Sequence, residues 1–374
     1  MVEQEKNKFL MNKNVLFVGA FNKRNTKNLI GGQLFACSTI LKSSLSKKYN
    51  FINLCTSQRK IPPPNLFIRT YDSFVRIFKL FKILMFNKID IALIFTTSGL
   101  GFIEKGLMVQ VCKKFNVKTV LFPRSGLIVN DVKNKFFENY LKTVINNTDV
   151  LMLQGKSWLD FYKKYENSKT IYKIQQNWID NKKYQVNDRK FHKKDLNILF
   201  LGWINKEKGV FDLLSVFRSI VNKMQNYNLN LFYAGKGKDY FLLREKIEKY
   251  RLTRSVKLLG WVNDTDKLKL LQNSDVYVCP SYFEGLPNSL LESMASGIPS
   301  ISTNVGSIPN LISDTNNGFL YNPGQNDRLE SLLINLLEDF ELRKKISVNS
   351  KKHIANNNTI EIATKTIDKI FTNI

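Results

Sequence analysis

The chain has 374 residues, of which 43% are apolar, and its 57 Lys and Arg against 31 Asp and Glu give a net charge of +26. This length exceeds what one hydrophobic core usually serves, so it predicts two domains. No apolar run is long enough to cross a membrane, residues 1–17 lack the pattern of a signal peptide, and the four cysteines are scattered, so we expect a cytoplasmic protein without disulfides.

The positive charge is concentrated in the first half of the chain. Residues 1–190 carry 33 Lys and Arg against 12 Asp and Glu, whereas the remainder is nearly balanced. Such an excess predicts an anionic partner for the first half, for which a membrane surface and a nucleic acid are both candidates. No nucleic-acid-binding module is visible and Lys outnumbers Arg, so we expect no nucleic acid partner and keep a basic nucleic-acid-binding protein as an alternative.

Short apolar runs alternate with longer mixed segments, which is typical of strand–helix–strand units. The predicted strands cover residues 14–19, 50–54, 90–96, 118–123, 150–153 and 170–174 in the first half, and 197–201, 230–234, 256–259, 275–279, 299–302 and 319–321 in the second. These runs are continuously apolar, which favours parallel sheets covered by helices on both faces. The sequence therefore predicts an α/β fold of two Rossmann-like, doubly wound domains that face each other across a cleft.

One polar and charged stretch interrupts this series of strands. We interpret residues 177–195 as a linker between an N-terminal domain, residues 1–176, and a C-terminal domain, residues 196–356. Residues 357–374 are expected to form a helix that crosses back to the N-terminal domain.

Two features of the first half are candidate binding elements. Gly31 and Gly32 follow the first strand and precede a helix, where glycine lets the backbone approach a ligand, although a plain turn explains them equally well. Residues 73–88 form an amphipathic pattern with Arg76, Lys79 and Lys82 on its basic side. This pattern predicts either a helix that lies on an anionic membrane or an ordinary helix that covers the sheet.

Glycine-rich strand ends mark the second half. Gly202 ends one strand and is followed by Lys208, a point charge suited to phosphate oxygens, although surface lysines are usually only solvated. Gly235 ends the next strand, and Val262 follows the third, where its backbone can contact the edge of a base. A simple turn explains the Gly235 segment equally well, and core packing of Trp261 is the alternative for the segment that contains Val262.

The segment 280–297 contains two carboxylates with seven residues between them. Glu284 lies in a loop after a strand, and Glu292 lies one turn into the next helix, which Asn288 is expected to cap. A helix N-terminus suits an anion, and carboxylates suit hydroxyl groups. Because an acid among apolar residues is costly unless it has a partner, we interpret both as functional.

The second half resembles family 4 of the glycosyltransferases, which are retaining enzymes of the two-domain GT-B type. The matching positions are Gly202, Lys208, Gly209, Ala234, Gly235, Gly260, Asp275, Pro280, Ser281, Glu284, Gly285, Glu292, Ala295, Gly297, Pro299, Gly306 and Gly318. The resemblance implies that Glu284 contacts the donor sugar, Glu292 the ribose and Lys208 the diphosphate, with Glu284 and Lys208 catalytic. It also implies that the N-terminal domain receives the acceptor and that no metal or other cofactor is needed. The remaining donor-binding candidates are Gly285, Leu286, Pro287 and Asn288.

The chain departs from the family pattern at three places, of which the mildest is Asn310, where a glutamate is common. Trp203 stands where the family usually has an Arg, so a second cation for the diphosphate must come from elsewhere, with Lys206 and Arg124 as candidates. Arg124 and Ser125 occupy the segment where the family often has a histidine, and they are candidates for the acceptor site. The two histidines of the chain are poorly placed, so we do not expect histidine catalysis.

Together these observations predict a retaining glycosyltransferase on the cytoplasmic face of a membrane. The expected donor is a nucleotide sugar, UDP- or GDP-linked, and the expected acceptor is a saccharide or a lipid-linked one such as a polyprenyl diphosphate, in polysaccharide, lipopolysaccharide or glycolipid assembly. A nucleotide-sugar epimerase of the same fold is the main alternative.

Overall fold

The computed structural model describes residues 13–21, 32–57, 64–166, 169–186 and 194–374. Gly31 lies outside the described residues. The chain divides into an N-terminal unit, Met1–Gln176 with Ile360–Ile374, and a C-terminal unit, Asn177–Thr359.

Each unit contains one six-stranded parallel sheet. The N-terminal sheet consists of β1 (Asn14–Gly19), β2 (Asn50–Cys55), β3 (Ile91–Thr96), β4 (Lys118–Pro123), β5 (Val150–Leu153) and β6 (Ile171–Ile174). The C-terminal sheet consists of β7 (Asp195–Leu201), β8 (Asn228–Ala234), β9 (Val256–Gly260), β10 (Val276–Cys279), β11 (Ser300–Thr303) and β12 (Phe319–Tyr321). The predicted α/β fold with two doubly wound parallel sheets is confirmed.

Helices connect the strands of both sheets. In the N-terminal unit they are α1 (Gly32–Lys42), α2 (Leu45–Lys48), α3 (Leu66–Phe86), α4 (Leu100–Lys114), α5 (Ile128–Asp131), α6 (Lys135–Asn146) and α7 (Lys156–Lys163). The C-terminal unit contains α8 (Asn181–Tyr184), α9 (Val210–Lys223), α10 (Tyr240–Lys249), α11 (Asp264–Asn273), α12 (Asn288–Ala295), α13 (Asn326–Glu338) and α14 (Phe340–Asn357). The last helix, α15 (Ile360–Asn373), belongs to the N-terminal unit.

The strand order of each sheet reverses at one place. The N-terminal order is β2-β1-β3-β4-β5-β6, and the C-terminal order is β12-β11-β10-β7-β8-β9. In the first sheet, the chain proceeds from β1 towards one edge of the sheet and from β3 towards the other. In the second sheet, it does the same from β7 and β10. Such switch points open a crevice outside the carboxyl ends of the strands, where ligands of open α/β sheets bind.

Continuously apolar strands form the centre of each core. Every residue of β3 and of β10 is buried, as parallel strands covered on both faces require. Polar contacts link the last two turns of helix α15 to the rest of the N-terminal unit. Lys13 Nζ donates to the carbonyl of Phe371 at 2.7 Å, and the Tyr49 hydroxyl donates to Asp368 at 2.7 Å.

The segment 177–195, interpreted above as a linker, begins inside the C-terminal unit. Trp178 and Ile179 are fully buried there, and Ile179 pairs with Thr359 in a parallel β-bridge. The segment is polar on average, but its few apolar residues are the ones that pack. Its first part is therefore a structural element of the unit that contains the candidate site.

Helix α3 begins seven residues before the predicted segment 73–88 and ends at Phe86, and it presents an unexpected face to solvent. It buries Leu80 and Leu84 against the sheet. Six large side chains, spaced alternately four and three residues apart, form what we call the α3 stripe and are 44–84% exposed: Phe67, Tyr71, Phe74, Phe78, Phe81 and Met85. In the described part of the chain, no helix combines the length and apolar character needed to span a bilayer.

The interpretation of Arg76 as part of an exposed basic face is wrong. Its guanidinium turns inward and pairs with the buried carboxylate of Glu104 on α4, so its side chain is only 18% exposed. Lys79 and Lys82 are exposed, as expected of a basic face.

Candidate functional site

Lys208 and Glu284 meet at the switch point of the C-terminal sheet. Lys208 ends a short 3-10 helix after β7, and Glu284 lies in the loop after β10. The Lys208 Nζ lies 2.5 Å from Glu284 Oε1, which also accepts from the Ser281 hydroxyl at 2.8 Å. Gly209 makes this approach possible, because its backbone is left-handed (φ +66°) and a Cβ there would lie 2.0 Å from a backbone oxygen of the β10 loop. Two candidates that follow neighbouring strands of the sheet, but lie 76 residues apart in sequence, thus form one ion pair.

The loop that carries Glu284 is held in place by backbone contacts. Gly306 has φ +59°, and a Cβ there would lie 2.2 Å from the Glu284 carbonyl oxygen. The next amide, that of Ser307, donates to the carbonyl of Gly285 at 2.8 Å. These contacts fix the direction in which the Glu284 side chain leaves the loop.

Asn177, which lies 109 residues before Leu286 in sequence, also supports this loop. Its Nδ2 donates to the Leu286 carbonyl at 2.5 Å and to Asn288 Oδ1 at 3.1 Å. The prediction that Asn288 caps the helix is wrong: Pro287 occupies the cap position of α12, and Asn288 is the first helical residue. The Asn288 side chain bonds Asn177 instead, which leaves the first amide groups of α12 without a side-chain cap. Such an N-terminus is suited to an anion.

Glu292 lies in the second turn of α12 and is held by two donors. The Tyr184 hydroxyl and the Lys267 Nζ each lie 2.8 Å from its Oε1. Among the described residues, Oε2 has no hydrogen-bond partner. Burial and the neighbouring Glu292 charge raise the pKa of Tyr184, so its hydroxyl remains a donor across the whole working range of pH. The arrangement fixes the carboxylate and leaves one oxygen to accept from a ligand hydroxyl.

Two half-exposed indoles lie at the same edge of the sheet. Trp203 follows β7 and Trp261 follows β9, and their rings meet edge to face at 4.8 Å between centroids. Beneath them Gly202 and Gly235 pack backbone to backbone, since a Cβ on Gly235 would lie 1.7 Å from the Gly202 carbonyl oxygen. Val262 follows Trp261 and is half-buried. The position that carries Arg in the resembling family therefore contributes an aromatic surface here.

The remaining candidates lie in the N-terminal unit. The Arg124 guanidinium lies over the rings of Phe95 and Phe122, at 5.3 Å and 4.8 Å from their centroids. Burial lowers the pKa of Arg124 to about 10. The Ser125 hydroxyl donates to the Ser98 hydroxyl at 3.1 Å, and Gly32 is the exposed first residue of α1.

Sequence reasoning located the carboxylates and the lysine but missed their partners. Tyr184 lies in the stretch interpreted as a linker, and Lys267 looks like a surface lysine of α11. Asn177 is the first residue of that same stretch. No local pattern marks Tyr184 as a partner of Glu292, because 108 residues separate the two.

Among the described residues, the site combines the ammonium group of Lys208, the N-terminus of α12 and two anchored carboxylates. The first pair suits an anion such as a diphosphate, and the second suits hydroxyl groups. In the part of the chain that the structure describes, no group of three or more His, Cys, Asp or Glu residues is arranged to hold a metal ion.

The family model described as glycosyl transferases group 1 matches residues 181–353, which include the whole candidate site of the C-terminal unit from Tyr184 onwards. The chain is 25% identical over 202 residues to the capsular polysaccharide biosynthesis glycosyltransferase CapM of Staphylococcus aureus, and the alignment covers 52% of either protein. The chain thus spans about half the length of this relative.

Solved structures share the fold over nearly the whole chain. The sucrose-phosphate synthase of Thermosynechococcus elongatus superposes with a TM-score of 0.75 at 14% identity and covers 96% of this chain and 98% of its own. HepE of Anabaena, solved in complex with UDP, has a TM-score of 0.71 at 14% identity and covers 97% of this chain and 100% of its own. The chain therefore has the fold of these proteins and is similar, over residues 181–353, to the glycosyl transferases group 1 family.

Proposed function

We propose that the chain is a retaining glycosyltransferase of family 4 that moves a sugar from a nucleotide-diphosphate donor to a lipid-linked or saccharide acceptor. The observation that carries this proposal is the meeting of Lys208, Glu284 and the N-terminus of α12 at one switch point. The group 1 match and the similarity to CapM support transfer in polysaccharide, lipopolysaccharide or glycolipid assembly. UDP is the preferred carrier because HepE, which shares the fold, has been solved with UDP.

In this proposal, different groups of the C-terminal unit bind different parts of the donor, according to their chemistry. Lys208 and the first amides of α12 face the diphosphate, because both favour negative charge. Glu284 accepts from hydroxyl groups of the sugar, and the Oε2 of Glu292 accepts from the ribose. The backbone around Val262 and the two indoles border the base.

Transfer then needs stabilisation of the departing diphosphate more than it needs an acid. The bond between the anomeric carbon and the diphosphate oxygen breaks while the acceptor oxygen bonds to the same face of that carbon. The acceptor's proton passes to the departing phosphate oxygen, so no protein base is required. Lys208 stabilises the charge that develops on the leaving group.

We also propose that the reaction needs no metal ion, since Lys208 and the helix N-terminus supply the positive charge. Transfer in the presence of a chelator should match transfer in added Mg²⁺ or Mn²⁺. A loss of activity with the chelator that either metal restores would contradict this part of the proposal.

The same proposal places the chain as a peripheral protein on the inner face of a membrane. The α3 stripe supports it, because six exposed apolar side chains flanked by Lys79 and Lys82 suit an anionic lipid surface. Flotation with vesicles that contain phosphatidylglycerol should carry the wild type and the control Phe241→Glu, but not Phe78→Glu. Phe241 is a fair control because it is an equally exposed phenylalanine, at 65% against 60%, on α10. Equal flotation of all three proteins would contradict membrane binding through α3.

The central test is donor binding followed by transfer. A thermal-shift screen of UDP- and GDP-sugars identifies the donor, since a ligand at 100 times its Kd stabilises the folded protein by about 2.7 kcal/mol. With that donor, Lys208→Ala and Glu292→Gln should each lower kcat/KM by about a hundredfold or more. Lys223→Ala removes an exposed lysine of α9 that pairs with Glu330, and it should leave transfer unchanged. Wild-type turnover in both site variants would refute the proposal.

A further inference from the structure

The N-terminal unit contains a cavity of about 630 Å³ that the donor site does not use. It lies between α3 and α4, at the carboxyl ends of β1, β2 and β3. Ala20, Thr56, Ser57, Thr97 and Ser98 line it at these strand ends. Because the strand order reverses between β1 and β3, the cavity occupies the switch point of this sheet, which is where a ligand is expected.

The wall of the cavity carries an excess of positive charge. Glu104, only 5% exposed, accepts from Arg76 and also from Lys105, whose Nζ lies 2.8 Å from its Oε2. Burial favours the neutral form of Glu104, but Lys105 and Arg76 outweigh it and lower the pKa of this carboxyl. Arg69 is a third cation on the wall, and Asp72 is the second carboxylate among the described lining residues. Three cations against two carboxylates favour an anionic group inside the cavity.

Part of the cavity lining is apolar and reaches the surface. Leu100 and Leu107 line it and are 41% and 39% exposed. Phe74 also lines it, is 74% exposed, and is one of the six members of the α3 stripe. The cavity and the stripe are therefore continuous at Phe74. A ligand that fits both has an anionic head and a hydrocarbon chain.

We infer that this cavity binds the acceptor, and that the acceptor is a lipid joined to its head group through phosphate. The phosphate lies against Arg69, Arg76 and Lys105, and the hydrocarbon chain leaves past Phe74 along the α3 stripe. The hydroxyl groups at the strand ends face the saccharide part of the head. The identification of the ligand as the acceptor rests on the proposed function, whereas the binding of an anionic lipid is inferred from the cavity alone.

Farnesyl diphosphate is a soluble probe that contains both parts of such a ligand. By calorimetry it should bind the wild type at least about tenfold more tightly than either farnesol or inorganic diphosphate, because each of these lacks one half of the contacts. Phe74→Ser and Arg69→Ala should each weaken its binding about tenfold. The matched controls Phe241→Ser and Arg244→Ala replace exposed side chains of α10 and should leave it unchanged.

Four results would overturn the inference. Binding of the probe that UDP displaces would assign it to the diphosphate site of the C-terminal unit. Tighter binding of a short-chain phosphatidylglycerol, with no transfer of sugar to that lipid, would make the cavity a site for membrane phospholipid and not for the acceptor. A change of oligomeric state in Phe74→Ser, measured by analytical ultracentrifugation, would mean that a second copy of the chain covers the stripe. Equal binding by Phe74→Ser and Phe241→Ser would remove the stripe from the site.

Failure of this inference and failure of the proposed function give different binding results. If the chain is not a glycosyltransferase, nucleotide sugars fail to stabilise any variant while farnesyl diphosphate still binds the wild type. If only the inference is wrong, nucleotide sugars stabilise the wild type, Phe74→Ser and Arg69→Ala alike and the lipid probe does not bind.

Discussion

Tyr184→Phe removes a single hydroxyl from the candidate site and leaves the ring, which is 1% exposed, in place. The hydroxyl donates to Glu292 Oε1 at 2.8 Å, and Lys267 donates to the same oxygen at the same distance. Without Tyr184 the carboxylate is held from one side only. It then turns about its side chain, and Oε2 loses the fixed position from which, in the proposed mode of donor binding, it would accept the ribose hydroxyls.

The size of the effect follows from the charge on Glu292. A hydrogen bond to a charged group contributes about 1.5–3 kcal/mol. Because Lys267 remains in place, we expect the lower end, about 1.5 kcal/mol, in the free energy of unfolding. A similar loss in the binding of UDP corresponds to a Kd about tenfold higher, since about 1.4 kcal/mol is one factor of ten.

Calorimetric titration with UDP and with its dideoxy analogue, which lacks both ribose hydroxyls, separates positioning from folding. The wild type should prefer UDP strongly, and Tyr184→Phe should lose most of that preference while its affinity for the analogue stays the same. The control is Tyr49→Phe, whose hydroxyl also donates to a carboxylate beside a lysine, Asp368 with Lys48, in the N-terminal unit. It should lose stability and keep its affinity for UDP. If Tyr184→Phe binds both nucleotides as the wild type does, Tyr184 does not position Glu292.

Three further outcomes follow from the same structure. Gly306→Ala places a Cβ 2.2 Å from a carbonyl oxygen and should lower the unfolding free energy by about 3 kcal/mol or more. The control Gly99→Ala has a similar φ of +57° but open space around it, and should lower it by about 1 kcal/mol. Equal losses for the two variants in urea unfolding would contradict the importance of the contact at Gly306. Burial lowers the pKa of His353 below its ordinary value of 6.5, so the unfolded chain binds the imidazole proton more tightly than the folded chain. The free energy of unfolding should therefore fall as the pH drops from 6.5 towards the pKa of the folded state. An NMR titration midpoint of the His353 ring at or above 6.5 would contradict this prediction. Glu104→Gln leaves the buried Lys105 and the half-buried Arg76 without their carboxylate and should lower the unfolding free energy by about 3–5 kcal/mol. Glu138→Gln, whose partners Lys135 and Lys142 are exposed, should not change it measurably. Similar denaturation midpoints for the two variants would show that Glu104 is not essential to the core.

The strands were predictable because a parallel strand must be apolar on both faces. The run 91–96 illustrates this, since all six of its residues are buried and its one polar residue, Thr96, stands at its end. The ends of the strands then placed Lys208 and Glu284 at one edge of one sheet, because carboxyl ends of parallel strands lie together. Their direct contact required coordinates, since it depends on the backbone of Gly209.

The rest depended on packing that sequence periodicity does not contain. Helix α3 has more apolar residues than one side of a helix can bury, so its pattern does not reveal which of them face the sheet. The inward turn of Arg76 follows from Glu104, which lies on another helix. Tyr184 reaches Glu292 because Trp178 and Ile179 anchor the preceding chain, and these apolar residues are hidden in a stretch that is polar on average.

The contact between Trp203 and Trp261 gives the protein an optical reporter of its own. The chain has four tryptophans, and the other two, Trp158 and Trp178, are 6% and 1% exposed. A nucleotide that settles at the carboxyl edge of the C-terminal sheet changes the solvent around the exposed pair and leaves the buried pair in the same surroundings. Intrinsic fluorescence can therefore follow the arrival of the nucleotide in real time without a label, and a variant that keeps only Trp203 or only Trp261 reports which side of the base is covered.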